Sequence, residues 1–494
     1  MTTPQICVTV TGRTMDELRA NRDAASDADL VELRLDFVER PQVEEALRGR
    51  SRPVVVTCRP VWEGGGFIGP EDERRQLLLS AQQLGAEFVD VEAAAPFAGE
   101  LIANAGGRGV VVSSHFFGET PSNLRRVYAA MRGTGAEVVK LAVEVDRLTA
   151  LDQLFALADE SEPQRHDHVL IGMGAAGLPT RILAARLRNR WTYAGPGIAP
   201  GQIRADRLLQ EFAFERISPH AALYGVVGNP VLHSLSPAMH NAGFSKAGLD
   251  AVYVPLQAKS ADDFVAFARR HRLQGASITA PYKIDLMAAM DGIDPLARRV
   301  GAVNTLVVRD GAWQGANTDV DGLLDPLRAH VDLRGARATI LGAGGAARAA
   351  AVGLADSGAR ITISARRPEF GKRLAAEVGG LFEAFPPPPD TWDVLINATP
   401  CGSAAAPGNP MGDRPLTGAV VFDLVYVSER TELLAAAERA GCTAIGGVEM
   451  LIAQAERQFE LWTGARPLAG LFRQAAGDAM RIRSAHSADL SSAT

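Results

Sequence analysis

Lys140 stands in Val138-Val139-Lys140-Leu141-Ala142-Val143, and its apolar neighbours predict a buried strand. Burying an amine is costly unless it is paired, and desolvation lowers its pKa, so one reading is a neutral amine ready to attack a carbonyl. The same burial suits an ion pair with Glu32 or Asp36. Glu32, Arg34 and Asp36 alternate near the end of another strand and point to one side, while Arg59 and His115 each close a further strand. A second group surrounds Ala338-Thr-Ile-Leu-Gly342-Ala343-Gly344-Gly345-Ala346, an apolar strand running through glycines into a helix-forming stretch. Gly342 permits a tight turn, and Gly344 and Gly345 let the backbone approach a pyrophosphate, whose charge the opening helix amides attract. The next strand, Arg360 to Ile363, ends in Ser364-Ala365-Arg366-Arg367. An acid there would hold the ribose hydroxyl of NAD, whereas a serine and two arginines suit the extra phosphate of NADP. Two solvated arginines on a surface turn would read the same way.

Elements of two kinds must position these groups. Up to about residue 215, eight apolar runs alternate with charged amphipathic segments: Ile6 to Val10, Leu30 to Asp36, Pro53 to Arg59, Phe88 to Glu92, Gly109 to His115, Glu137 to Val143, His168 to Gly174 and Trp191 to Ala194. Strands this apolar, each followed by a helix, imply a parallel sheet covered by helices, and eight repeats imply a closed (β/α)8 barrel with its chemistry at the strands' C-terminal ends. Ser218-Pro219 breaks the last barrel helix, so Phe214 to Ala222 reads as a short connection. A second α/β pattern starts at Leu223. Its strand ends and loops are rich in hydroxyls and amides, suited to a polyhydroxylated ligand. Ser236-Pro237 reads equally well as a helix start with Ser236 as cap.

At 494 residues the chain is too long for one core. Its 51 basic and 57 acidic residues leave no electrostatic footprint for nucleic acid or an anionic membrane. No apolar run is long enough to span a bilayer, and the start of the chain has no leader pattern. Cys7, Cys58, Cys401 and Cys442 are scattered without a CxxC pair, which suggests neither a disulfide framework nor a metal site. A reducing cytoplasm is the expected location.

Across residues 1 to 215 the chain resembles type I 3-dehydroquinate dehydratases, on Glu32-Leu-Arg34-Leu-Asp36, Thr57-Cys-Arg59, Glu63-Gly-Gly, Ser113-Ser-His115, Lys140-Leu-Ala-Val, Met173-Gly-Ala-Ala-Gly-Leu-Pro-Thr-Arg181 and Ala199-Pro-Gly-Gln202. The resemblance implies Lys140 as the Schiff-base lysine, His115 as general acid/base and Glu63 as its partner. Arg181 and Gln202 become substrate contacts, with Glu32, Arg34 and Arg59 also lining the site. Three arginines around the mouth would hold a substrate carboxylate. Ile198 and Thr180 depart from serines often found in that family, which weakens one or two hydroxyl contacts. The segment Gly195 to Gly201 reads as a lid loop.

From residue 221 to about 480 the chain resembles shikimate dehydrogenases, on Gly228-Asn-Pro-Val-Leu-His-Ser234-Leu-Ser236-Pro, Ser277-Ile-Thr279-Ala-Pro-Tyr-Lys283, Gly301-Ala-Val-Asn304-Thr, Gly315-Ala-Asn-Thr-Asp319 and Gly447-Val-Glu-Met-Leu-Ile-Ala-Gln454. In that pattern Ser234 and Ser236 hold the substrate carboxylate, and Thr279, Asn304, Tyr426 and Gln454 meet the rest of the substrate. Lys283 and Asp319 form the catalytic pair. The NADP(H) contacts would come from Gly342, Ala343, Gly344, Gly345, Ala346, Ser364, Arg366, Arg367, Thr399 and Gly447. Ala365 and Ser428 depart from an asparagine and a proline usual there.

The expectation is a two-enzyme chain. A dehydratase barrel over 1–216 precedes a substrate domain over 221–325 completed by 446–483, a Rossmann NADP domain over 326–445 and a disordered tail over 484–494. Its ligands would be 3-dehydroquinate, 3-dehydroshikimate and shikimate. A quinate-preferring second half, or a silent NADP-binding regulator, are the alternatives. Loss of Lys140, Lys283 or Asp319 would favour the regulator, and all three are present.

Overall fold

The computed structural model describes residues 3–118, 120–160, 167–403, 405–426 and 430–492, with side chains as far as 484. The chain divides into two compact units, Met1–Leu273 with Ala475–Thr494, and Gln274–Gln474.

The first unit opens with eight parallel strands: β1 Gln5–Val10, β2 Leu30–Arg34, β3 Val54–Thr57, β4 Phe88–Glu92, β5 Val110–Phe116, β6 Val138–Glu144, β7 His168–Met173 and β8 Trp191–Ala194. They follow one another in the order β7-β6-β5-β4-β3-β2-β1-β8, the barrel order expected from the eight repeats. At the seam between β7 and β8 the ladder is replaced: the Arg190 amide donates to the His168 carbonyl, and the buried Asn189 amide exchanges two hydrogen bonds with the backbone of Leu170. Below the polar end, Cys7, Val55, Val111, Val138, Val169 and Trp191 belong to one buried cluster and fill the interior. Outside β2 and β3, strand ends fall within one residue of expectation. The exceptions matter: Asp36 lies beyond β2, in a 3-10 turn over Leu35–Phe37, and Arg59 lies two residues past β3.

The same unit continues through β9 Ala222–Gly228, the helix Ser236–Lys246, β10 Ala251–Gln257 and the helix Ala261–Arg270, with β10 parallel to β9. This stretch is bonded to the barrel. Asp263 accepts from the backbone amides of Leu148 and Thr149 and from the Thr149 hydroxyl, and His271 Nε2 lies 2.8 Å from Asp152 Oδ1. The division of the chain accordingly falls at Leu273 and not at the short connector. Ser236 opens its helix without capping it: Leu235 occupies the cap and no side chain bonds there. The helix Leu471–Ser492 runs on where the Ser/Ala composition had suggested disorder from 484. Extending an existing helix needs no new nucleus, and Ala485, Ala488 and Leu490 are good helix formers. Residues 493 and 494, and Ser428, lie outside the described residues.

In the second unit, β11 Gly275–Ile278 and β14 Ala312–Ala316 flank β13 Thr305–Arg309 antiparallel, and β12 Gly292–Ile293 pairs parallel with β14. A wholly parallel sheet follows in the order β17-β16-β15-β18-β19-β20, built from β15 Arg337–Leu341, β16 Arg360–Ser364, β17 Leu381–Glu383, β18 Val394–Asn397, β19 Val420–Asp423 and β20 Thr443–Gly446. The order reverses between β15 and β18, the edge at which a doubly wound sheet binds a dinucleotide. Gly342 follows β15 there.

Candidate active sites

The barrel's polar end encloses a pocket bordered by Glu32, Arg34, Arg59, Glu63, His115, Lys140, Arg181 and Gln202, together with Ile198 of the segment Gly195 to Gly201. Eight residues singled out from sequence therefore meet in one place. Lys140 Nζ donates to Glu32 Oε1 at 3.3 Å and to Asp90 Oδ2 at 3.1 Å, and lies 4.1 Å from the centre of the Tyr193 ring. Of the two ion-pair partners considered, Glu32 is the one engaged, while Asp36 is taken by Arg34 through two hydrogen bonds of 2.9 and 2.7 Å.

Asp90 and Glu92 did not emerge from the sequence as site residues, yet both are fully buried. Arg59 Nη2 lies 2.8 Å from Asp90 Oδ1, and Nη1 donates to Glu92 Oε1 at 2.5 Å and to the Ser113 hydroxyl at 2.7 Å. Burial alone would raise the Asp90 carboxyl, but Arg59 and Lys140 outweigh it and hold the group well below the usual carboxylate range. The signal that could have found this pair is its alternation at the end of β4, Val89-Asp90-Val91-Glu92, the pattern used to find Glu32 and Arg34. Three arginines were expected to hold a carboxylate together. Arg34 and Arg59 are instead committed to Asp36, Asp90 and Glu92. Arg181 alone has no carboxylate within bonding distance among the described residues; it donates to the carbonyls of Tyr193 and Pro200, and its Nε has no partner there. Burial, opposed only by Glu32, lowers the Arg181 guanidinium to about 10. An arriving anion would relieve that burial cost.

His115 and Glu63 form the second half of this site. Glu63 Oε2 accepts the His115 amide at 3.1 Å and lies 2.8 Å from Nδ1, an arrangement that assigns the ring proton to Nδ1 and leaves Nε2 free as a base. Burial first, then the cations Arg59 and Lys140, keep the imidazole well below its ordinary value, so it is neutral. Burial also raises the Glu63 carboxyl to about 7 against the opposing pull of Arg59. The glycines after Glu63 hold it in place: a Cβ on Gly65 would sit 2.1 Å from the Arg59 carbonyl oxygen, and the Gly66 amide donates to Asp36 Oδ2. A pH dependence follows. Above about pH 7 the Glu63 carboxylate stabilises the imidazolium that forms when His115 takes a proton, and below it this support is lost. Turnover at the barrel site, as kcat/KM, should therefore fall as pH drops through about 7. Glu63→Gln should abolish that inflection and lower the high-pH plateau by about 10²; an unchanged inflection in the variant would refute the assignment.

In the second unit, Lys283 Nζ donates to Asp319 Oδ2 at 2.6 Å, and the Asn304 amide reaches Asp319 Oδ1 at 2.8 Å. Asn304 is locked in turn, since its Oδ1 accepts from the Thr318 amide and the Thr305 hydroxyl. Gln458, absent from the sequence reading, bonds the Asn304 carbonyl, the Thr305 hydroxyl and Ser277. The Lys283 side chain is 27% exposed and that of Asp319 10%, so this is a partly open pair and not a surface salt bridge. Thr279 is half-buried, and Gln454 is buried and bonds Leu451 of its own helix. Tyr426 is half-buried. In the first unit, Ser236 is buried and its amide donates to the Ser234 hydroxyl at 3.2 Å.

The dinucleotide edge behaves largely as its glycines require. Gly342 has φ +107° and its amide donates to the Ser364 carbonyl. A Cβ added at Gly344 or Gly345 would meet nothing within 4 Å, and the helix Gly345–Asp356 has no side-chain cap, so a pyrophosphate can lie against its first amides. Ala343 lies in this turn, and Ala346 is the second residue of the helix. Thr399 is anchored to Asn397, and Gly447 begins the helix Gly447–Thr463 so close to Leu424 that a Cβ would sit 2.6 Å from its carbonyl oxygen. Ser364 is the exception: it is fully buried and its hydroxyl donates to the Ala384 carbonyl, so it anchors β16 and cannot meet a phosphate. Arg366 and Arg367 are exposed and form no ion pair among the described residues.

Fold and sites together define a two-reaction enzyme: an amine-bearing barrel joined to a unit with a Rossmann sheet and a lysine–aspartate pair. Family models match in chain order, for type I 3-dehydroquinase over residues 6–219, for the shikimate dehydrogenase substrate binding domain over 226–306 and for the shikimate 5′-dehydrogenase C-terminal domain over 447–476. The bifunctional 3-dehydroquinate dehydratase/shikimate dehydrogenase of Arabidopsis thaliana, a chloroplastic protein, is 33% identical across 93% of this chain and 82% of its own length. A shikimate dehydrogenase (NADP(+)) of Anaeromyxobacter is 42% identical over 50% of this chain and 93% of its own. A crystal structure of shikimate dehydrogenase in complex with NADP+ covers 53% of this chain and 96% of that one, at 33% identity and a TM-score of 0.50. The chain belongs to the bifunctional 3-dehydroquinate dehydratase/shikimate dehydrogenase family. Among the described residues no helix is long and apolar enough to cross a membrane.

Proposed function

We propose that the chain dehydrates 3-dehydroquinate to 3-dehydroshikimate in the barrel and reduces that product to shikimate with NADPH in the second half. The observation that carries the reading is the pairing of a complete amine and imidazole set with a separate lysine–aspartate pair in one chain.

In the barrel, Lys140 forms an iminium with the substrate ketone, water leaving as the carbon–nitrogen double bond forms. The iminium is an electron sink, so His115 Nε2 can remove the adjacent proton; the same imidazole then protonates the departing hydroxyl. Glu63 orients the imidazole and stabilises its charged form. Arg181 holds the substrate carboxylate, with Gln202 and Glu32 meeting its hydroxyls, and hydrolysis of the iminium returns the amine. The commitment of Arg34 and Arg59 to internal carboxylates supports Arg181 as the anion contact and gives those two a supporting role.

In the second half, Ser234 and Ser236 hold the substrate carboxylate, and Thr279, Asn304, Tyr426 and Gln454 meet its ring substituents. Lys283 donates the proton that the developing alkoxide needs, and Asp319 orients the ammonium. NADPH supplies the hydride. The helix start at Gly344 and Gly345 suits its pyrophosphate, with Ala343, Ala346, Thr399 and Gly447 around it, and Arg366 and Arg367 suit its 2′-phosphate. Replacing both arginines should raise KM for NADPH about tenfold or more and leave NADH use little changed; equal use of NADH by the parent enzyme would refute this assignment. The domain limits we propose are those read from sequence, 1–216, 221–325 with 446–483, and 326–445. A cytoplasmic location fits the four scattered cysteines.

The decisive experiment supplies purified protein with 3-dehydroquinate and NADPH alone. NADPH absorbance should fall after dehydration provides the ketone, and its persistence while added 3-dehydroshikimate is reduced would remove the barrel's activity from the reading.

A further inference from the structure

Glu211, on the last barrel helix Ala205–Phe212, is 1% exposed and yet carries a carboxylate. Two arginines hold it. Arg207, one helical turn earlier, bonds both of its oxygens, at 2.9 and 3.0 Å; Arg483, on the C-terminal helix, bonds both again, at 3.0 and 2.8 Å. The two arginines differ in what else they touch. Arg483 Nη1 donates to the His233 carbonyl at 2.6 Å, and Nη2 donates to the Ser234 carbonyl at 3.0 Å. One planar guanidinium therefore joins a barrel carboxylate to the backbone of the loop that leads from β9 into the helix Ser236–Lys246.

We propose that Glu211 and Arg483 are positioning residues for the ketone-reducing reaction, acting through the Ser234–Ser236 loop: a side chain of the dehydratase barrel sets the substrate affinity of the other activity. The inference rests on the reading that Ser234 and Ser236 hold the substrate carboxylate. The bidentate bond to Glu211 fixes the plane of the guanidinium, and the plane fixes where two consecutive carbonyls lie. Ser236, whose amide donates to the Ser234 hydroxyl, follows directly. A second tie runs beside the first, since the Asn241 amide of the same helix donates to the Glu211 carbonyl and to that of Tyr253. Charge serves this arrangement too: burial would raise the Glu211 carboxyl, but the two arginines outweigh it and hold it below its ordinary value, so the clamp stays ionised.

The pair of arginines supplies the test, because removing either takes two hydrogen bonds from Glu211 but only Arg483 touches the loop. In the full-length protein, Arg483→Lys and Arg483→Ala should raise KM for 3-dehydroshikimate, and the dissociation constant of shikimate measured by calorimetry, about tenfold or more. The kcat for reduction, KM for NADPH and kcat/KM for dehydration should stay within twofold of the parent. Arg207→Ala should leave KM for 3-dehydroshikimate within twofold. Arg483→Lys keeps the charge and the helix seated, so it decides the matter if the alanine variant does not fold. A parental KM in Arg483→Lys, or an equal rise in Arg207→Ala, would overturn the proposal and leave the cluster a simple structural tie. A rise that follows Arg483 while Ser234→Ala and Ser236→Ala leave KM unchanged would instead reject the serine assignment on which the inference rests.

Discussion

Lys140→Ala is expected to abolish dehydration of 3-dehydroquinate, lowering kcat by at least about 10⁴, while reduction of 3-dehydroshikimate continues at the parental rate. Among the described residues Lys140 is the only lysine bordering the barrel pocket, and no other group there can supply a covalent electron sink. Borohydride added with substrate should trap a stable adduct on the parent protein and none on the variant, with the label at Lys140 by mass spectrometry. An adduct on another lysine would transfer the role, and dehydration surviving the substitution would end the covalent mechanism. Stability also enters. Removing the ammonium leaves Glu32 and Asp90 buried without it, and uncompensated buried charge costs about 3 to 5 kcal/mol, part of which Arg59 offsets for Asp90. Ketone reduction by the same molecules is the internal control that separates lost chemistry from lost fold.

Lys283→Ala should give the mirror result, with kcat for reduction down by about 10² to 10⁴, KM for NADPH near normal and dehydration untouched. Lys283 and Asp319 are 2.6 Å apart, and Asn304 fixes the far oxygen of Asp319, so removing the lysine deletes the proton donor and leaves its scaffold standing. Mixing the two variants should restore shikimate formation from 3-dehydroquinate, because intermediate released by one is taken up by the other. Failure of the mixture, with each variant retaining its single activity, would replace independent sites by obligatory transfer within one molecule.

The two architectures were legible because their signals are local. Runs such as Val110-Val-Val and Val54-Val-Val can hardly be anything but buried strands, and Gly342 with its positive φ could be read from its place between strand and helix. What escaped depends on partners far along the chain. Arg59 chooses Glu92, 33 residues further on, and nothing in its neighbours says that it leaves the expected anion site to become part of a buried network. Ser364 looked available from its position at a strand end. Only the packing of the segment around Ala384 shows its hydroxyl turned inward. Ser236 preceded a proline as a helix cap would, but the helix begins with Ser236 itself.

Asp263 gives the joining of the two enzymes a consequence for how such a chain could be taken apart. Its carboxylate accepts three hydrogen bonds from the barrel loop at Leu148 and Thr149, just beyond the strand that carries Lys140. A protease nick or an engineered gene split within Phe214 to Ala222 would sever the covalent thread without dissolving this attachment. Two coding segments made there would inherit a shared surface, each polypeptide needing the other to satisfy it. Separating them would bring into water a Leu148 side chain and an Asp263 carboxylate that the joined chain keeps buried.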